Sequence, residues 1–425
     1  MTLRSSLLGT IALLGLAAPG WAIDLEFYFP VAVGGKPAET VQALTDAYMA
    51  ANPDVKISAI YTGSYADTTT KAITAARGGN APQLVISLST DMYKFIDEDL
   101  IEPFDRFVTD AEKADWIGGF YPSFMLNSQY EGSTWGIPFQ RSTPVLYWNK
   151  AAFAEAGLDA DNAPATWAEM VEKGAKLVKR DASGNAIQWG VHIPSSGFPS
   201  WLWSGIVAGN GGILQNDEGT EVFFNSPEAI GALEALVALS TTDGVMAPGI
   251  LDWGGTPKAF FEGQAAMIWT TTGNLTNVRA NAPFDFGVGF LPGLKQPGAP
   301  TGGGNFYLMK GSSEEELQAA VDFVKWATAP EQAADWTIAT GYVAPRADVW
   351  ETDIMKAYVA DFPQAAVARD QLAHAVAELS TFEGPKVTQI LNSALEAAIT
   401  GQKTPKEALD AAQAEADAIL SAYRN

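Results

Sequence analysis

The chain has no cysteine. A protein without thiols has no disulfide framework and no thiolate metal site, so its stability must come from a buried core. The same absence removes the lipid-modified cysteine that would tether it to a membrane. Histidine is nearly missing too: His192 and His374 are the 2 imidazoles of the chain, far apart and in unlike contexts. Without a partner at a useful spacing, each reads as a structural or surface residue. The sequence has no G-x-S-x-G elbow, no phosphate-cradling loop ending in Gly-Lys-Ser/Thr and no H-E-x-x-H. No cofactor or metal is expected.

Positive charge is the next scarcity. The chain sets 26 Lys and Arg against 49 Asp and Glu, a formal net charge of −23. Nucleic-acid binding needs a basic stripe, and none is present, so no nucleic-acid partner is expected. A small anionic ligand stays open, because screening confines long-range repulsion to about 8 Å and leaves affinity to local donors. Beyond the N-terminus no apolar run approaches about 18 residues, the length of a membrane span. There is no repeat of fixed period and no low-complexity tract.

What is present begins with an address. Arg4 supplies a positive start, Leu7 to Ala18 a short apolar run, and Gly20-Trp21-Ala22 the small residues of a cleavage site. Residues 1–22 are therefore expected to be a signal peptide, cleaved near Ala22, that directs the chain to the periplasm. The chain is of ordinary globular composition at 47% hydrophobic and 18% charged, and the part beyond residue 22 is long enough for two or three domain-sized units.

Strand-like and helix-like segments alternate along it, the pattern of an α/β fold. Asp24 to Phe29 and Val55 to Tyr61 read as strands. Between them a helix carries Val41, Leu44 and Tyr48 on one face. Leu84 to Leu88 suits a buried strand. Thr166 with Glu169, Ser226-Pro227, and Ser313 with Glu316 mark helix starts. Gly- and aromatic-rich stretches at 197–212, 253–256, 270–274 and 301–305 read as loops. On an α/β scaffold such loops carry function, beyond the carboxyl ends of the strands. Trp201, Trp203, Trp253 and Trp269 lie in or beside them. Aromatic faces stack on the C–H faces of polyols and sugars. A lone tryptophan is more often core, but Trp201 follows directly on Gly197-Phe198-Pro199-Ser200.

Seven segments carry a resemblance: NPDVKISAIYTGSYADT, GGNAPQL, GIPFQRSTPVLYWNKAAFAEAGL, PATWAEM, FFEGQAAM, GGGNFYLMKGS and ATGYVAP. With them the chain resembles the family 1 extracellular solute-binding proteins, and most closely their glycerol-3-phosphate-binding branch. The resemblance implies an α/β, two-lobed periplasmic-binding-protein (type II) fold with hinged lobes and a central ligand cleft. It places residues 23–138 and 285–335 in an N-terminal lobe and 139–284 and 336–425 in a C-terminal lobe, with the crossover near Gly136 to Pro144. The function it implies is non-catalytic: the substrate-binding component of an ABC importer. Such a protein, expected to be a monomer, captures a small polar polyol-type solute such as glycerol-3-phosphate or a glycerophosphodiester and delivers it to membrane permease subunits.

Carried over by position, ligand contacts fall at Tyr65, Ser142, Thr271 (a serine in the family), Gly303 and Tyr342, with Trp201 as one aromatic wall and Phe198 in place of a second tryptophan. Hydroxyls that both donate and accept suit a polyol, and Gly303 lets backbone come close or makes a turn. Two positions depart from the family. Ser89 stands where a glutamate holds glycerol hydroxyls, and Ser380 where an arginine helps hold phosphate. Arg141 and Arg346 are then the candidate cations for an anionic group. Two alternatives stay open. One is a sugar or oligosaccharide binder of the same family, its groove extended by Trp201, Trp203 and Trp253. The other is a secreted glycosidase, which would need two carboxylates about 5–9.5 Å apart.

Overall fold

In Ile23–Phe29 the alternate residues Leu25, Phe27 and Phe29 are buried, the period of a strand laid on a core. Helix Pro37–Ala51 returns the chain to the parallel neighbour Val55–Tyr61, and helix Tyr65–Arg77 to Leu84–Leu88, parallel on the other side. Parallel strands need such crossovers. The computed structural model describes residues 23–424, so the expected signal peptide lies outside the described residues.

The first sheet runs Val55–Tyr61, Ile23–Phe29, Leu84–Leu88, Gly302–Met309, Ile101–Glu102, and Ile137–Ser142 also pairs with Gly302–Met309. The second runs Phe286–Gly289, Pro144–Asn149, Ala265–Thr271, Ala186–His192, Lys179–Arg180. Each sheet has its own core. Phe27, Phe306, Phe323 and Trp336 pack on the first; Trp167, Trp203, Trp269, Leu233 and Leu391 pack on the second. The result is a two-lobed α/β protein.

The chain leaves the first sheet after Ser142 and enters the second at Pro144, then returns between Gly289 and Gly302. Backbone pairing decides these points, because buried N–H and C=O groups must find partners. It keeps Ile137–Ser142 in the first sheet and Phe286–Gly289 in the second. The C-terminal helices Gly384–Ile399 and Pro405–Leu420 add Val387, Leu391 and Leu409 to the second core.

One side chain ties the crossings together. The Gln371 amide donates to Thr143 Oγ1 (2.9 Å) and to the Pro144 carbonyl (2.8 Å), and its oxygen accepts from Leu291 N (2.8 Å). Thr143 Oγ1 in turn donates to the Pro300 carbonyl at 3.0 Å.

The helix starts form caps. Thr166 Oγ1 accepts from Glu169 N and Ser226 Oγ from Ala229 N, while Ser313 and Glu316 close a reciprocal box. Glu169 reaches back to Ala165 N rather than to the cap residue. The stretch expected as a loop at 197–212 is helical over Pro199–Gly209 and buried along its whole length. A helix apolar on every side shows no period to read.

Candidate functional site

The two sheets meet around a cavity of about 30 Å³, on the scale of two or three ordered waters. Tyr65, Ser142, Thr271, Gly303 and Tyr342 supply one part of its lining, Phe198, Trp201 and Trp253 another, and Ala32, Val33, Leu88 and Glu378 the rest.

Local structure places each. Ser64 caps helix Tyr65–Arg77 in a reciprocal box with Asp67, which sets Tyr65 at the first turn. Its hydroxyl donates to Gln140 Oε1 at 2.9 Å. Burial, with Tyr342 beside it, pushes the Tyr65 phenol well above its usual value. Tyr342 follows the left-handed Gly341 that ends helix Pro330–Thr340. Its ring stacks on Trp336 with centroids 5.8 Å apart, and Val343 N donates to the Arg141 carbonyl at 2.8 Å, pinning the turn to the crossing strand. Burial raises the Tyr342 phenol to about 12, so both phenols are neutral donors at ordinary pH.

Ser142 and Thr271 are the last residues of their strands. Thr271 Oγ1 accepts from Gly273 N at 3.1 Å, and its carbonyl accepts from the Tyr147 hydroxyl at 3.2 Å. Gly303 has φ +93°, and a Cβ there would stand 1.9 Å from the Gln140 carbonyl oxygen. Only glycine fits. Trp201 donates from Nε1 to the Thr301 carbonyl at 2.8 Å. Trp253 meets Phe198 and Trp201 edge-on, with centroids 5.1 and 6.1 Å apart. Trp203 and Trp269 belong to the second core instead.

The other expected residues lie elsewhere. Ser89 is buried just past the lining and donates from Oγ to Glu378 Oε2 at 3.2 Å. Arg141 is fully buried outside the lining. Its Nη1 donates to Asn305 Oδ1 at 3.2 Å, its guanidinium lies 5.0 Å from the Phe124 ring centroid, and Nε and Nη2 have no partner. Burial pulls its pKa down to about 10. Arg346 is committed away from the cavity, donating to both Asp348 oxygens (3.0 and 2.5 Å) and to the Trp116 carbonyl (2.8 Å). Ser380 is buried and donates to the Thr90 carbonyl at 3.2 Å.

Sequence reasoning missed Glu378, which lies in no motif. Asn127 holds its backbone from both sides: Glu378 N donates to Asn127 Oδ1 (2.9 Å) and Asn127 Nδ2 to the Glu378 carbonyl (3.0 Å). Burial pushes its carboxyl up to about 7, against the pull of Arg141 and Ser89. A larger cleft of about 470 Å³ shares Leu88, Phe198, Trp201 and Glu378 with the cavity and runs along helix Gly384–Ile399, past Thr69, Asp91, Lys94, Asn392 and Glu396.

A family model of bacterial extracellular solute-binding proteins matches residues 43–364. The chain belongs to this family. The function class that membership carries is the substrate-binding component of an ABC importer. The chain is 29% identical over 442 residues to the sn-glycerol-3-phosphate-binding periplasmic protein UgpB of Salmonella typhimurium, covering 100% of this chain and 98% of the relative. Its fold matches UgpB from Mycobacterium tuberculosis, solved in complex with glycerophosphocholine, with a TM-score of 0.82 at 23% identity over 94% of this chain and 99% of that one. It also matches the cyclic alpha-maltosyl-1,6-maltose binding protein of Arthrobacter globiformis, with a TM-score of 0.79 at 24% identity over 94% and 99% of the two chains.

Proposed function

We propose that the protein, a periplasmic monomer, captures a polyol-type solute by its hydroxyl-bearing end and hands it to the permease subunits of an ABC importer. One observation carries the reading: the hydroxyl-bearing residues Tyr65, Ser142, Thr271 and Tyr342 line the same small cavity as the aromatic group Phe198, Trp201 and Trp253. Hydroxyl groups can donate to or accept from each ligand oxygen, while the rings cover its C–H faces. The relatives named for glycerol-3-phosphate and glycerophosphocholine support the same class.

A sugar is the second reading, favoured by the cleft that adjoins the cavity at Trp201 and gives room for a longer ligand. A non-catalytic role is supported by the family and by the relatives, which are solute-binding proteins. The test is thermal unfolding followed by calorimetry with glycerol-3-phosphate, glycerophosphocholine, maltose and mannobiose. A bound ligand at 100 times its Kd stabilises by about 2.7 kcal/mol, so at least one compound is expected to raise Tm. No shift with any of the four would overturn the reading.

A further inference from the structure

We propose that Glu378 selects what the cavity accepts: its carboxylate receives hydroxyl groups of a neutral polyhydroxy ligand and turns away a phosphate or carboxylate at the same point. The inference rests on the polyol reading and narrows it to neutral sugars and polyols.

Charge is the first argument. Among the residues lining the cavity Glu378 alone carries a formal charge, and no lysine or arginine stands with it. Tight anion sites are built from charged or multiple fixed donors aimed at the oxygens. Here the corresponding point is a carboxylate. The cation nearest in effect, Arg141, is buried outside the lining and helps keep Glu378 ionised, a counter-charge that offers the ligand no donor.

Position is the second. Glu378 lines both the cavity and the adjoining cleft, as do Leu88, Phe198 and Trp201. A solute reaching from one space into the other passes the carboxylate.

Preorganisation is the third. Asn127 holds the Glu378 backbone through two hydrogen bonds, and Ser89 occupies Oε2. Among the described residues no donor is paired with Oε1. An ionised carboxylate accepts through both oxygens and has room for more than one donor, which suits adjacent ligand hydroxyls. The groups that act on its charge are Arg141, which favours ionisation, and Asp91, which opposes it; Tyr65 and Tyr307 are near enough to feel its charge. Burial places its titration at about 7, so ligand affinity should rise as pH increases through that point.

The test compares wild type with Glu378→Gln by calorimetry, using maltose and mannobiose as neutral probes and glycerol-3-phosphate as the anion. Thermal melts confirm that the variant is folded. The wild type is expected to bind a neutral probe at least about tenfold tighter than glycerol-3-phosphate. Glu378→Gln should lose about tenfold for the neutral probe, the scale of one hydrogen bond to a charged group, and gain for the anion. Between about pH 6 and 8 the affinity of the wild type should climb while that of the variant stays flat. Equal wild-type affinity for the anion, or a neutral-to-anion ratio unchanged in Glu378→Gln, overturns the role given to Glu378 while leaving the polyol reading in place. Binding by none of these probes, nor by glycerophosphocholine, overturns both.

Discussion

A methyl group placed on Gly302 would stand 2.6 Å from the indole of Trp201. Gly302 belongs to the first sheet and Trp201 to a helix of the second core, so the missing side chain on one lobe is the seat for a ring on the other. Gly302→Ala is expected to displace the indole, weaken ligand binding by about tenfold or more and lower Tm, since overpacking costs about 1–3 kcal/mol. Adding Trp201→Phe should recover part of the stability but little affinity. A double-mutant cycle read by calorimetry and thermal melts checks this.

Tyr65→Phe removes the donor to Gln140 Oε1 and leaves that buried acceptor without its partner. The expected loss is about 1–3 kcal/mol of folding stability, measured by urea denaturation. Ligand affinity should fall as well, because Tyr65 lines the cavity. Unchanged affinity would remove Tyr65 from the contact set.

Arg346→Ala should separate stability from binding. The guanidinium satisfies the Trp116 carbonyl and spans Asp348, so its loss is expected to cost about 1–3 kcal/mol. Affinity, measured well below Tm, should stay within about twofold of wild type. A larger drop would return Arg346 to the ligand.

Two partly buried groups tilt the pH dependence of stability in opposite directions. The Glu378 carboxyl is raised from 4.5 to about 7; the folded state holds the proton more tightly there, so stability falls as pH rises across that window. The His192 imidazole is lowered by burial from 6.5 to about 4; the unfolded state holds that proton more tightly, so stability falls as pH drops across its window. The wild type should therefore show a shallow Tm profile between about pH 4.5 and 6.5, where the two slopes oppose. Glu378→Gln should expose a slope rising with pH, and His192→Gln a slope falling with pH. Tm profiles of the three proteins decide it.

The elements legible in the sequence were those governed by neighbours in the chain. The strand expected over Asp24 to Phe29 is found at Ile23–Phe29, and Ser313 with Glu316 marked a helix start, because both signals are local. The helix Pro199–Gly209 was not legible: its glycines and tryptophans resembled a loop, and burial on all sides erased any polar face. The cavity residues Tyr65, Ser142, Trp201, Thr271, Gly303 and Tyr342 came from family resemblance, and the structure puts them around one space. Glu378 could not be read in either way. Its placement depends on Asn127, 251 positions away in the chain, and its raised pKa on burial that exists only after folding.

Gln371 gives the joint between the lobes a mechanical character. Because one amide holds Thr143, Pro144 and Leu291 together, the outgoing and returning strands behave as a single strap rather than two independent strings. Pulling the strands apart would break either the bond to Leu291 or the two to Thr143 and Pro144, whereas flexing them in the same sense need break none. Separating the two crossings therefore costs hydrogen bonds that moving them together does not, and one uncharged side chain couples them mechanically.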